Sequence, residues 1–154
     1  MKKNKEKGIW FYGLSGSGKT YASKIVAKKK KNSMLIDGDD VRKFISVDLG
    51  YGINERKIQI KRVLGITKIA LKSNLFPIVS TVYMDKYVAN NLKKNNIYLI
   101  KITRDLKKII KQHRTYKNKK NIVGRDIHLD QIKSTQIFNS GGRSFCRNIK
   151  KLIK

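Results

Sequence analysis

The sequence predicts an α/β fold: a mainly parallel sheet of about five strands, held in three layers between flanking helices. Three observations predict it. Short apolar runs alternate along the chain with stretches whose apolar residues recur at helical spacing. The first apolar run leads directly into a glycine-rich loop and then a helical stretch, the order of a phosphate-binding unit. No repeat, and no linker rich in Pro, Gly or Ser, divides the 154 residues, so the chain reads as one domain, 1–154.

Taken in order, Gly8-Ile9-Trp10-Phe11-Tyr12 is continuous enough in apolar character for a strand buried on both faces. Tyr21 to Lys31 carries Ile25, Val26 and Ala27 among lysines without proline, and reads as the first helix. Ser33-Met34-Leu35-Ile36 is a second strand, running into Asp37-Gly38-Asp39-Asp40. Val41 to Val47 follows as a brief helix with Asp39 or Asp40 as its cap. A glycine-marked loop, Asp48 to Gly52, precedes a long helix from Asn54 to Ser73, with Asn54 expected at its N-cap. Pro77, the only proline, opens a third strand over Ile78–Tyr83, where its missing N–H is tolerated. Asp85–Asn95 is a helix, Ile97–Ile102 a fourth strand and Asp105–His113 another helix. Arg114–Asp126 is dense in Lys and Asn, and is expected to be exposed and mobile. Thr135–Phe138 is a fifth strand and Arg143–Ile153 the closing helix.

Between the first strand and helix lies Gly13-Leu14-Ser15-Gly16-Ser17-Gly18-Lys19-Thr20, a complete G-x-x-x-x-G-K-[ST] motif in its required strand–loop–helix setting. Glycines let the backbone curl so that consecutive amides point at phosphate oxygens, and the helix start adds positive potential. In such a loop Lys19 reaches the β- and γ-phosphates of ATP, and the Thr20 hydroxyl meets Mg²⁺.

Composition narrows the setting further. No apolar run approaches the roughly 20 residues of a membrane span. The basic start, Met1 to Lys7, lacks the apolar centre of a signal peptide. A lone cysteine, Cys146, excludes an internal disulfide framework and suits a reducing cytoplasm. The net charge of +27 attracts polyanions, yet the lysines are spread along the chain and form no compact patch. Nucleic acid therefore ranks below a small nucleotide as partner, and self-association into a homodimer stays open.

From Asp37-Gly38-Asp39-Asp40-Val41-Arg42 onward, a family resemblance emerges. The phosphate loop, the strand ending in D-G-D-x-V-R, Asp48-Leu49-Gly50-Tyr51, Glu55-Arg56, Ile60-Lys61-Arg62-Val63 and Asn121-Ile122-Val123-Gly124-Arg125-Asp126 together resemble the adenylyl-sulfate (APS) kinases. The resemblance spans most of the chain and implies a P-loop kinase that passes the γ-phosphoryl group of ATP to the ribose 3′-hydroxyl of a nucleotide. It makes Asp39 the catalytic base, with Lys19 and Asp37 in the catalytic set and Asp37 beside Thr20 at the metal. It places Arg42, Arg56 and Gln59 on the acceptor nucleotide and stacks Tyr51 on its base. It also makes 114–126 a lid, in which Lys117, Lys119, Lys120 and Arg125 face the nucleotides.

The departures from the family pattern gather on the acceptor side. Where the family has F-I-S-P after the third strand, this chain has Thr81-Val82-Tyr83-Met84. Ile122 stands in place of a lid phenylalanine, and Gln59 in place of an asparagine. Losing one stacking face costs base binding about 1–3 kcal/mol. The acceptor is accordingly either adenylyl sulfate, as in sulfate assimilation, or cytidine diphosphoramidate, as in relatives serving capsule phosphoramidate synthesis. In the second case the smaller pyrimidine sits against Tyr51 and Ile122 and the phosphoramidate near Tyr83. A basic nucleic-acid-binding P-loop protein, and a P-loop kinase of another small metabolite, are the alternatives.

Overall fold

The computed structural model describes residues 6–113, 115–118 and 120–153. Five strands, β1 (Gly8–Tyr12), β2 (Ser33–Asp37), β3 (Phe76–Thr81), β4 (Ile97–Thr103) and β5 (Thr135–Phe138), form one sheet in the order β2-β3-β1-β4-β5. Every pairing between them is parallel. The helices are α1 (Lys19–Ala27), α2 (Gly38–Phe44), α3 (Ile53–Lys72), α4 (Lys86–Lys94), α5 (Leu106–Gln112), α6 (Thr115–Asn118) and α7 (Gly142–Lys151).

The central strand explains the layering. All of β1 is buried, and its side chains alternate between two cores as a strand's period of two requires. Trp10 and Tyr12 join Ile60, Val63 and Leu64 of α3 and Val88 and Leu92 of α4 on one face. Ile9 and Phe11 join Ala22, Ile25 and Val26 of α1 and Phe145 and Ile149 of α7 on the other. Helix, sheet and helix are thus the three layers, and the carboxyl ends of β1, β2 and β3 open together on one side. That is the crevice where sheets of this kind bind ligands.

Several boundaries differ from expectation, each for a local reason. Asp37, not Asp39 or Asp40, caps α2: its Oδ1 accepts the Asp39 amide at 2.9 Å, so the helix starts three residues early, at Gly38. Asn54 is not the cap of α3 either; Gly52 holds that position, and Glu55 folds back to accept the Gly50 and Gly52 amides. Strand β3 starts earlier than expected and ends at Thr81, leaving Val82 and Tyr83 in the turn beyond it. Thr81 Oγ1 accepts from Trp10 Nε1 at 2.8 Å and donates to the Tyr83 carbonyl at 3.1 Å, which turns the chain there.

Pro77 lies inside this strand, in register with Met34 of β2. A Cβ at Gly8 would come within 2.7 Å of the proline ring, so glycine at the neighbouring position is what admits it. The 114–126 segment is not exposed throughout. Tyr116, Ile122 and Val123 are buried, the first two packed with Ile109 of α5. Three apolar side chains among many lysines are enough to seat the segment against Leu14 of the phosphate loop. Arg114 and Lys119 lie outside the described residues, as does the start of the basic N-terminus, residues 1–5.

Candidate active site

The phosphate loop owes its shape to glycines that no other residue could replace. Gly13 has φ 148°, and a Cβ there would fall 2.2 Å from the Ile102 carbonyl oxygen. Gly18 has φ 105°, with Asn139 Nδ2 where its Cβ would stand. Side chains reached from distant elements then brace the curl. Asn139 Nδ2 donates to the Ser17 carbonyl at 2.8 Å, Arg104 Nη1 to the Gly16 carbonyl at 3.2 Å and the Tyr116 hydroxyl to the Ser15 carbonyl at 3.3 Å. With carbonyls tied outward, the loop fits a triphosphate held by amides.

Lys19 is the first residue of α1 and is 8% exposed. Its Nζ donates to the Leu14 carbonyl at 2.8 Å, arching over the loop. Burial pulls its pKa from 10.5 down to about 8, opposed by the charges of Asp39 and Asp37. The next residue, Thr20, donates its hydroxyl to Asp37 Oδ2 at 2.9 Å, and Ser80 of β3 donates to the same oxygen at 2.8 Å. A hydroxyl and a carboxylate are hard oxygen donors of the kind that hold Mg²⁺ beside nucleotide phosphates.

Asp39 sits in the first turn of α2, exposed to the cleft, and its carboxylate accepts no hydrogen bond among the described residues. Its field is felt at both Lys19 and Arg56. One cavity of about 1000 Å³ runs from the loop past Asp37 and Asp39 to Arg42, Tyr51, Arg56, Gln59, Tyr83 and Ile122. The cavity therefore brings together Ser15, Gly16, Gly18, Lys19 and Thr20 with the acceptor-side residues singled out in the sequence and Lys120 of the lid, whereas Gly13, Leu14, Ser17, Lys117 and Arg125 do not border it.

The acceptor-side arginines are partly committed. Arg42 Nη1 donates to the Leu49 carbonyl at 3.3 Å and to that of Gly50. Arg56 donates from Nε to the Tyr51 carbonyl at 3.0 Å and from Nη2 to the Asn121 carbonyl at 2.9 Å, tying α3 to the lid. Their guanidinium carbons lie 4.6 and 5.6 Å from the Tyr51 ring centroid, so the exposed tyrosine is held flat by cations. Burial and the neighbouring Arg42 lower the pKa of Arg56. Gln59 is buried; its Nε2 donates to the Gly38 carbonyl at 3.0 Å while its Oε1 has no partner. Burial raises the pKa of Tyr83, aided by Asp85 and Asp130. Ile122 borders the cavity but is 3% exposed, its side chain turned into the lid's own core. In the lid, Lys120 borders the cavity, whereas Arg125 pairs with Asp126 at 2.8 Å.

Four contributors were not singled out in the sequence: Ser80, Arg104, Tyr116 and Asn139. Their side chains serve the site through single hydrogen bonds across 43 to 122 residues of chain, for which no local pattern exists.

Comparison with known proteins agrees with this geometry. The family described as adenylylsulphate kinase matches residues 5–122. An adenylyl-sulfate kinase of Buchnera aphidicola is 33% identical over 171 aligned residues, covering 99% of this chain and 82% of that protein. One from Pseudomonas aeruginosa is 38% identical over 86 residues, covering 53% of this chain and 44% of that protein. In fold, the APS kinase of Mycobacterium tuberculosis in complex with AMPPNP and APS superposes with a TM-score of 0.81, covering 96% of this chain and 95% of that one at 18% identity. Five parallel strands, a phosphate loop at their carboxyl ends and a match to most of the sequence converge: the chain belongs to the adenylylsulphate kinase family, ATP-dependent phosphotransferases that act on a hydroxyl group.

Proposed function

We propose that this chain transfers the γ-phosphoryl group of ATP to the ribose 3′-hydroxyl of a small nucleotide, as one catalytic domain that closes with its 114–126 segment. The observation that carries this reading is the shared cavity. Lys19 and Asp39 open onto the same space as Tyr51, Arg42 and Arg56, so donor phosphates and an acceptor sugar can meet. The amides of residues 13–20 and Lys19 hold the triphosphate. Thr20 and Asp37 hold Mg²⁺, which supplies neutralising charge at the phosphates. The Asp39 carboxylate takes the proton of the 3′-hydroxyl as its oxygen bonds to the γ-phosphorus. The bond from that phosphorus to the bridging oxygen breaks, and ADP leaves with the electron pair. Tyr51 receives the acceptor's base, and Arg42, Arg56 and Gln59 orient its phosphate and substituent.

Membership of the family supports adenylyl sulfate as the acceptor. A specific observation favours a second reading, cytidine diphosphoramidate. Ile122 offers no flat ring opposite Tyr51 and is withdrawn into the lid, so only one aromatic face serves the base. That suits the smaller pyrimidine, with the phosphoramidate near Tyr83. An ADP-release assay with ATP, Mg²⁺ and each acceptor in turn separates them. Turnover with adenylyl sulfate alone supports the first reading, turnover with cytidine diphosphoramidate alone the second, and turnover with neither overturns both. A cytoplasmic setting accords with this use of ATP. Among the described residues no helix is long and apolar enough to cross a membrane.

A further inference from the structure

A second cavity lies behind the phosphate loop, on the side away from the catalytic cleft, with a volume of about 260 Å³. Its apolar lining comes from Leu14 of the loop and Leu129 of the chain beyond the lid, with the buried Ile109 of α5 beneath and the β4 backbone at Ile102 as one wall. Two cationic side chains, Lys101 and Arg104, border it, with His128 beside them. Arg104 is engaged with the Gly16 carbonyl and Gln112, but Lys101 makes no hydrogen bond or ion pair among the described residues. Ser17 borders this cavity and not the catalytic one. It is fully buried, and its Oγ, which has no partner, is shielded from both cavities.

We propose that this cavity is a binding site for a small organic anion with a short apolar body. The carboxylate or equivalent charged group meets Lys101, while the hydrocarbon lies on Leu14 and Leu129. Such a ligand reports on the phosphate loop through one short path. Leu14 forms part of its floor, and the Leu14 carbonyl is the atom that accepts from Lys19 Nζ at 2.8 Å. The lid touches the same side chain, since a Cβ at Gly124 would stand 2.5 Å from a Leu14 methyl carbon. An occupant therefore bears at once on the loop that holds ATP and on the segment that closes over it. The proposal does not depend on which nucleotide accepts the phosphoryl group.

Pentanoate is a suitable probe, with pentanol and inorganic sulfate as controls, each titrated by calorimetry into the full chain with its catalytic cleft saturated by a non-hydrolysable ATP analogue. Pentanoate is expected to bind saturably, and each control to bind at least about tenfold more weakly, because one lacks the charge and the other the apolar body. Lys101→Met should weaken pentanoate by about tenfold or more, and Leu129→Trp should abolish binding by filling the space. Basal ADP release by Lys101→Met should stay within about twofold of the parent, since Lys101 lies outside the cleft. The proposal is overturned if Lys101→Met binds pentanoate like the parent, if either control binds as well, or if the nucleotide analogue competes pentanoate away. Should Leu129→Trp fail to fold, the Lys101→Met titration decides.

Discussion

In the proposed reaction Lys19 meets two demands that pull against each other. Its ammonium must be charged to meet phosphates, yet its burial lowers its pKa to about 8. A folded-state pKa below the unfolded value of 10.5 means that charged Lys19 costs the ligand-free fold stability below about 8, a cost relieved as pH rises toward 10.5. Bound phosphates restore the charge. At a pH just above the lowered pKa, ATP binding should therefore take up protons, read by calorimetry in two buffers of different ionisation enthalpy. Lys19→Met should remove that uptake. Tyr51 is poised differently, exposed and steadied by two guanidinium groups. Tyr51→Ala should raise the acceptor KM about 10- to 100-fold and leave the ATP KM nearly unchanged, the signature of lost base stacking. An equal rise in both constants would remove Tyr51 from the acceptor site.

At the level of elements, the loops around the cleft are held by a few carboxylates. Glu55 accepts the Gly50 and Gly52 amides, which lowers its pKa and fixes the turn carrying Tyr51. A carboxylate whose folded pKa is depressed stabilises above its unfolded value of 4.5 and loses that contribution as pH falls through the folded one. Glu55→Gln should mimic the acid form, loosening the turn and raising the acceptor KM at neutral pH, as steady-state kinetics will read. The strands make a complementary point. Apolar runs in the sequence located β1 and β3 most sharply, because burial on two faces leaves continuous hydrophobicity there, whereas β2 and β5 are largely exposed. The position of Pro77 inside β3 was not legible, since what admits it is the missing side chain of Gly8, 69 residues away in sequence and adjacent in space. Gly8→Ala should consequently cost about 1–3 kcal/mol and lower the Tm by several degrees in a thermal melt.

Helix caps were misplaced for a related reason. Asp37, Asp39 and Asp40 cluster at the start of α2, and propensity does not say which carboxylate turns back to the chain. Asp37 does so at α2, which leaves the Asp39 carboxylate unbonded in the cleft. The lid was misread because Tyr116 and Ile122 are sparse among lysines, and only their landing against Ile109 and Leu14 gives them a core.

On the scale of the whole molecule, the net charge of +27 accompanies a cavity bordered by Lys19, Arg42, Lys43, Arg56 and Lys120. Raising the ionic strength from about 0.01 M to about 0.15 M shortens the screening length from about 30 Å to about 8 Å. The kcat/KM for ATP should fall several-fold over that range while kcat holds, because the field gathers substrate and leaves the chemical step alone. A flat profile would show that the lysines do not steer nucleotides. The phosphate-loop side of the cavity was legible because its motif is contiguous, Gly13 to Thr20, and Asp37 and Asp39 follow one strand later. The supports that arrive from β3, β4 and the chain after β5, namely Ser80, Arg104 and Asn139, exist only once the sheet has formed.

The central claim is that Asp39 removes a proton from a nucleotide's 3′-hydroxyl while Lys19 and its loop hold ATP. Phosphorus NMR of the reaction, run with the parent chain and with Asp39→Asn, tests it most directly. A new phosphomonoester on the ribose 3′-carbon, formed about 100-fold or more slowly by Asp39→Asn, is the predicted result. Phosphoryl transfer to any other acceptor atom, or undiminished transfer by Asp39→Asn, would contradict it.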